Sequence, residues 1–382
     1  MRHESLVKKI FKLLRHLDLM LLVPSLLITI FGVAMVYSVT KPSAELLGVG
    51  PHSYLYKQAA FAIVGILAMI IIISLDYRFF EMLAYLIYGL SVLSLIAVFG
   101  TPRHLGSQRW FQLGPVQLQP SEFALLAVIL ALAKFLSTKQ DLLSTKDVVL
   151  SLVMIAIPEA LIYKQPDLGT AIVLGVVSFV MLVLAGAKGR HIFALIVLGI
   201  LATLAVVSLG VLHQYQIARL SVFLHPKNVP ASEVYNLQQS ENAIGSGGLL
   251  GVGFGNGPET NLAFVPEQQT DFIFTAVGEQ FGFVGSVILL GLYLIILYRL
   301  VRAMFLSRDK FGKLLAAGAL GLIGFSVIEN AGMTMGVMPV AGIPLPFMSY
   351  GGSAMVVFWV AIGLVLSVEM RRFQLKKAPS SR

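Results

Sequence analysis

An aspartate stands where a polar loop runs into an apolar helix, in the stretch Phe264-Val265-Pro266-Glu267-Gln268-Gln269-Thr270-Asp271-Phe272-Ile273-Phe274. A carboxylate projecting from the start of such a helix can take a proton from a substrate held nearby, as a general base does. The same place suits a helix N-cap, because Asp is a preferred cap and negative charge is favourable at that end. The local sequence favours the cap, and one side chain can serve both roles. Glu267 lies four residues before Asp271 and Glu279 eight residues after it. Paired carboxylates would suit acid–base work. Glu279, however, falls about two turns into the helix, where a carboxylate normally faces the interior with a partner. Structural pairing is the expectation for it.

Other segments offer contacts rather than chemistry. Arg109, in Gly106-Ser107-Gln108-Arg109-Trp110, can grip a phosphate in bidentate fashion or serve as a surface anchor. Trp110 fits an interfacial aromatic belt. Ser121-Glu122 follows Gln119-Pro120 and also reads as a plain helix start. Lys164 and Asp167 stand three apart across a helix break, either as a salt bridge or as substrate contacts. Near a membrane the cost of ionisable groups tilts the reading toward function. Gly245-Ser246-Gly247-Gly248-Leu249-Leu250-Gly251-Val252-Gly253 lacks the Lys-Ser/Thr ending of a P-loop. A glycine turn packed on a bundle is its default reading, with backbone amides on a pyrophosphate as the alternative. Pro344-Leu345-Pro346-Phe347-Met348-Ser349-Tyr350-Gly351-Gly352 carries no charge and reads as a wall or groove. The seven His are scattered, without zinc-site spacing, and no Ser-His-Asp arrangement appears.

These segments need elements to hold them, and the composition says which. Of 382 residues, 57% are hydrophobic and 12% charged, about half the charged share usual in a soluble domain. Lipid is therefore the expected solvent. Cysteine is absent, which removes any disulfide framework or thiolate metal site. The net charge of +9 does not point to nucleic acid, because no aromatic and basic residues interleave. Apolar runs of about 20 residues, the length that spans a bilayer, start near Leu17, Tyr56, Phe79, Ser121, Val148, Leu168, Ile192, Phe272, Leu314 and Gly352. The expected fold is all-α: a polytopic integral membrane protein of about ten transmembrane helices, forming a single membrane domain over residues 1–382. The first run is too long for a signal-peptide core and reads as a retained helix.

Orientation follows from the positive-inside rule. With both ends on the cytoplasmic side, 21 of the 28 Lys and Arg fall on the inner side and 7 on the outer. Residues 1–16 and 370–382 become basic cytoplasmic tails. Residues 213–271 become a large extracytoplasmic loop between the seventh and eighth spans. Gly100–Pro120, Lys164–Asp167 and Pro339–Gly351 also face outward. All four outer segments are rich in Gly, Pro, Gln and Ser, and irregular backbone at a membrane must be buried in protein or line a wet cavity. A site on the outer face is the expectation.

Seven motifs in order carry the reading further: GSQRWFQLG, QPSEFA, KQPDLGTA, QQSENAIGSGGLLGVG, PEQQTDFIF, GEQFGFVG and PLPFMSYGGS. Together they resemble the SEDS family (shape, elongation, division and sporulation), over nearly the whole chain from Leu17 to Glu369. The Ile343-Pro344-Leu345-Pro346-Phe347 form is more like the RodA, or elongation, branch than the FtsW, or division, branch. The resemblance implies a peptidoglycan glycosyltransferase that polymerises lipid II at the outer face of the bacterial cytoplasmic membrane, beside a class B penicillin-binding protein. It implies Asp271 as the essential Asp of the TDF motif, Glu122 as the Glu of QPSE and Asp167 as the Asp of QPD. Three positions depart from the family's usual pattern: Ala124-Leu125 where Ala-Lys is frequent, Gly251-Val252-Gly253 where Gly-Lys-Gly is frequent, and Gln269-Thr270 where His-Thr is frequent. Two cations that could meet a pyrophosphate are thereby missing, which shifts that task onto Arg109 and Lys164. The expected set is Asp271 as catalytic residue, with Arg109, Glu122, Lys164, Asp167, Ser246 and Glu267 as substrate contacts. A divalent cation, magnesium or manganese, would stabilise the leaving pyrophosphate, and no organic cofactor is expected. Expected partners are lipid II, the transpeptidase and membrane lipids, with no nucleic acid. Two rivals remain open: a lipid II flippase or carrier using Glu159 and Glu329 as midplane ionisable groups, and a scaffold that only positions a partner enzyme.

Overall fold

The computed structural model describes residues 17–46, 50, 52–102, 108–114, 116–208, 217, 219, 221–223 and 231–372. The basic tails 1–16 and 373–382 lie outside the described residues, as do the first residues of the Gly106–Trp110 motif.

Helices stand at all ten apolar runs. They are α1 (Leu19–Leu46), α2 (Ser53–Ser74), α3 (Tyr77–Ala97), α4 (Pro120–Ser137), α5 (Thr145–Lys164), α6 (Leu168–Leu184) and α7 (Gly189–Ser208), followed after the long loop by α10 (Ile273–Leu306), α11 (Lys310–Thr334) and α12 (Gly352–Arg371). Among the described residues, seven of these are long and apolar enough to cross a membrane, and α6 and α7 supply two shorter apolar stretches. The chain is a multi-pass membrane protein. Two short helices, α8 (Ala231–Ser246) and α9 (Pro258–Asn261), lie in the long loop. Strands β1 (Phe111–Leu113) and β2 (Val116–Leu118) form a small antiparallel hairpin, pairing Phe111 with Leu118. Sequence reading expected irregular backbone in both places. The hairpin's apolar residues alternate too briefly to signal a strand, and α8 is polar along most of its length.

Helices α4, α11 and α12 form the centre. Fourteen residues of α4 are buried, including its whole stretch from Ala124 to Ala133. Small residues let neighbouring backbones come close, as they do in membrane bundles. A β-carbon at Gly65 of α2 would lie 2.8 Å from the Trp359 indole of α12, and one at Gly363 would lie 3.1 Å from the Met69 backbone. One alanine-sized step at either place would force these helices apart.

The end of the bundle away from the candidate site is tied by charge. Arg299 of α10 is buried and bonds the Asp18 carboxylate just ahead of α1. It also lies 3.9 Å from Glu369 near the end of α12. Three elements far apart in sequence meet at one guanidinium.

Helix α10 is broken near its N-terminal end. Gly282 takes φ 64°, ψ −161°, outside the helical region. A break leaves amides and carbonyls unpaired, which is costly near lipid. The glycine-rich segment after α8 satisfies them. The Phe283 and Val284 amides donate to the Gly248 and Leu249 carbonyls at 2.9 and 3.0 Å, and the Glu279 and Gln280 carbonyls accept from Val252 and Gly253 at 3.1 and 3.0 Å. Glycine is required for this approach: a β-carbon at Gly247 would lie 2.0 Å from the Gly278 carbonyl oxygen, and one at Gly251 2.2 Å from that of Gln280. Of the two readings open for this segment, the structure shows the turn packed on the bundle.

Candidate active site

Asp271 lies one residue before the cap of α10. The cap is Phe272, and no side chain bonds the helix amides there. The capping role that the local sequence favours is therefore not taken up, because the turn through Glu267–Asp271 leaves Asp271 one residue short of the cap position. The Asp271 amide itself donates to the Glu267 carbonyl at 3.1 Å. The carboxylate is left for other work.

Gly342, in the loop between α11 and α12, forms one wall beside it. A β-carbon at Gly342 would lie 3.0 Å from the Asp271 Oδ2 and 3.3 Å from the Arg219 Nη1. The backbone there has φ 73°, which favours glycine. The same loop packs on α6, where a β-carbon at Gly169 would lie 2.7 Å from the Ala341 carbonyl oxygen. Asn330 of α11 fixes both sides: its Nδ2 donates to the carbonyls of Asp271 and Ile343, each at 2.8 Å. Its neighbour Glu329 accepts from the Ala341 amide at 3.2 Å. The Tyr350 amide, just before α12, donates to the Gln269 carbonyl at 2.8 Å.

Being enclosed by protein atoms raises the Asp271 carboxyl to a pKa of about 6; Arg219 opposes that rise, and the nearby negative charges of Glu267 and Asp167 add to it. A group tuned this way stays mostly ionised at neutral pH yet accepts a proton more readily than an ordinary aspartate.

Asp167 anchors a second carboxylate cluster within electrostatic reach of Asp271. Its Oδ2 accepts from the Gln119 amide at 2.9 Å and the Ser121 hydroxyl at 2.8 Å, and its Oδ1 caps α6 through the Thr170 amide at 3.4 Å. Glu122 is buried in the first turn of α4, close enough to Asp167 to sense its charge. Gln119 in turn accepts from the Trp110 indole at 3.1 Å, so Trp110 helps to hold this cluster. The salt bridge allowed for Lys164 and Asp167 is not formed, and Lys164 stands exposed at the end of α5.

Arg109 turns inward rather than toward an open anion site. Its Nε donates to the Gln165 carbonyl at 2.7 Å, and its Nη2 bonds the Pro166 carbonyl. It holds the turn that presents Asp167. Ser246 ends α8, and its hydroxyl donates to the Ala243 carbonyl at 2.8 Å. Glu267 is exposed beside Asp271. Glu279 takes the structural role expected of it. Its carboxylate accepts from the Glu259 and Thr260 amides at 2.7 and 3.2 Å and bonds the Thr260 hydroxyl, which ties down the start of α9.

Arg219, Asn330 and Gly342 escaped the sequence reading. Arg219 sits in the long loop without a motif around it, and Asn330 and Gly342 lie in or beside an apolar run. The signal that could have found Asn330 is an amide side chain inside a helix that must otherwise be apolar. Among the described residues, no three His, Asp or Glu side chains come together in a set able to hold a metal ion. No such cluster of described side chains offers a ready seat for the expected divalent cation.

Fold and site together define a multi-pass membrane protein with a carboxylate of raised pKa among irregular loops at one end of its bundle. Residues 18–374 match the cell cycle protein family of FtsW, RodA and SpoVE, and the chain belongs to this family, the SEDS family. It is 34% identical over 365 residues to peptidoglycan glycosyltransferase MrdB of Escherichia coli K12, covering 95% of this chain and 96% of that one. It is 33% identical to peptidoglycan glycosyltransferase RodA of Treponema pallidum, covering 93% of this chain and 98% of that one. It is 35% identical to stage V sporulation protein E of Bacillus subtilis, covering 92% and 96%. Among solved structures, it resembles a chain from a peptidoglycan synthase complex described as coordinating polymerization and crosslinking, with TM-score 0.78, 32% identity, and coverage of 94% of this chain and 99% of that chain. It also resembles the rod shape determining protein RodA of Thermus thermophilus, with TM-score 0.69, 31% identity, and coverage of 94% and 98%.

Proposed function

We propose that this chain, a peptidoglycan glycosyltransferase like the relatives it matches, polymerises lipid II with Asp271 as the general base. The observation that carries the assignment is the Asp271 carboxylate: uncapped, raised to about 6 and facing Arg219 across Gly342. A sugar hydroxyl attacks the anomeric carbon of the donor. The new C–O bond forms as the bond to the pyrophosphate breaks, and the electron pair leaves with the pyrophosphate. The hydroxyl proton passes to Asp271, which returns it to water from its partly open side. Arg219 and the exposed Lys164 supply positive charge for the leaving group. Asp167 and Glu122, with Gln119, offer acceptors and donors for sugar hydroxyls.

The charge asymmetry of the sequence supports both termini being cytoplasmic and this site facing outward. The cytoplasmic membrane of a bacterium is the setting, and a class B penicillin-binding protein would crosslink the product. The Pro344-Leu345-Pro346-Phe347 form favours the elongation branch over the division branch.

The carrier reading needs ionisable groups along a path through both leaflets. Glu159 and Glu329 instead lie five residues from the ends of α5 and α11 that lead into the site, Lys164 and Thr334. The decisive experiment is purified protein with lipid II, with and without a class B partner. Asp271→Asn, folded and membrane-inserted, is expected to lose about 100- to 10,000-fold in strand synthesis. Synthesis at the wild-type rate would remove Asp271 as the base, and lipid II translocated without polymer would favour a carrier.

A further inference from the structure

The segment that repairs the break in α10 also exposes an unusual set of side chains. Leu249 and Leu250 are 71% and 78% exposed, and Val252, Phe254, Leu262 and Phe264 are exposed as well. Between Gly245 and Phe264 the only charged residue is Glu259. An apolar patch of this kind left in water is a liability in a protein.

Its position says what covers it. The backbone pairing places Gly248 and Leu249 directly beside Phe283 and Val284, with Leu250 next along the chain. From there the outward side of α10 continues downward through Val287 and Ile288, all exposed and apolar on a helix long enough to span the membrane. At about 1.5 Å per residue, counting back from the helix end at Leu306 reaches about 30 Å of hydrocarbon near residue 286. Leu249 and Leu250 therefore stand level with the outer edge of the hydrocarbon. The segment is also irregular backbone whose inward polar groups are paired with α10, as its position against lipid demands.

We infer that Gly245–Phe264 is a lipid-inserted apron, with Leu249, Leu250, Phe254 and Leu262 seated at the boundary between headgroups and acyl chains of the outer leaflet. The occupant of this surface is bilayer lipid, because the patch runs without interruption into the lipid-facing side of α10. The apron sets the height of the outer third of α10, and so of Asp271, relative to the headgroups. This inference does not depend on which reaction the site performs.

The chain contains no cysteine, so single labels are clean. Full-length protein carrying Leu249→Cys, Leu250→Cys or Leu262→Cys would be labelled with a nitroxide and placed in vesicles of phosphatidylethanolamine and phosphatidylglycerol. Power-saturation EPR would compare collisions with oxygen, which partitions into lipid, and with a water-soluble nickel chelate. Greater accessibility to oxygen than to the chelate at all three positions, with quenching of a matching fluorescent label by lipids spin-labelled near the headgroup, is the expected result. Greater accessibility to the chelate would overturn the proposal. Protection from both reagents would overturn it too, because it would mean that protein covers the patch.

Discussion

Asp271 can accept a proton only while it is ionised. Its carboxyl is raised to about 6 chiefly by enclosure, and the Arg219 guanidinium holds it below where enclosure alone would put it. Strand synthesis should therefore fall as pH drops through about 6, because the base becomes protonated. Replacing Arg219 with Ala removes the opposing charge, so the group stays protonated to higher pH. The acid limb of the rate–pH profile should then move upward, with synthesis also weakened at neutral pH. A limb that stays in place in Arg219→Ala would separate Arg219 from Asp271. Of these two residues the sequence shows only one. Asp271 is marked by its place between polar loop and apolar helix. Arg219 lies 52 positions earlier, in a loop where nothing local distinguishes it from the other loop cations. Arg109 shows the reverse case: its motif reads as an anion grip, yet its Nε and Nη2 donate to backbone carbonyls that follow it by more than 50 residues. Spacing along a chain cannot reveal a bond to a distant backbone.

At the scale of elements, α10 was legible as an apolar run, but its break was not. Gly282 is one glycine among several in that run, and the break exists because another segment is there to pair with it. The same holds for α9, a single turn that depends on Glu279. Removing that carboxylate leaves the Glu259 and Thr260 amides and the Thr260 hydroxyl without their acceptor. Glu279→Ala should cost about 1–3 kcal/mol or more, since a buried donor left unpaired pays its desolvation cost. The loss should appear as a lower unfolding temperature in detergent and faster proteolysis between α8 and α10. Glu279→Gln keeps one acceptor oxygen and should recover part of it. Equal behaviour of both variants and wild type would show that α9 holds without the clamp.

Over the whole molecule, the ten helices follow from hydropathy alone, because a bilayer demands about 20 apolar residues for each crossing. Their arrangement does not, since it depends on which small residue meets which bulky one, as at Gly65 and Trp359. The far end of the bundle offers a test of that arrangement. Arg299, Asp18 and Glu369 join α10 to the start of α1 and the end of α12. Arg299→Ala would leave the Asp18 and Glu369 carboxylates close together, with Arg372, 3.8 Å from Glu369, left to offset them. Breaking such a pair costs about 3–5 kcal/mol. Thermal unfolding should show a larger loss for Arg299→Ala than for Asp18→Asn, which strands no acid. A loss confined to Asp18→Asn would mean that the guanidinium is held by other means.

The two sets of bonds around α10 also differ in when the ribosome supplies them. The segment that closes the break, Gly248–Gly253, is made before Glu279–Val284, so its partner is already synthesised when the broken helix emerges. The bonds that fix the Asp271 turn come from residues made later: Asn330, itself held by the Ile343 carbonyl, and Tyr350. A nascent chain can therefore seal its helix as soon as it is inserted, while its carboxylate stays unset until the last loop has been translated. Setting of the carboxylate is thus tied to translation of α11 and the loop after it, and a chain stopped before Asn330 would be inserted with Asp271 unset.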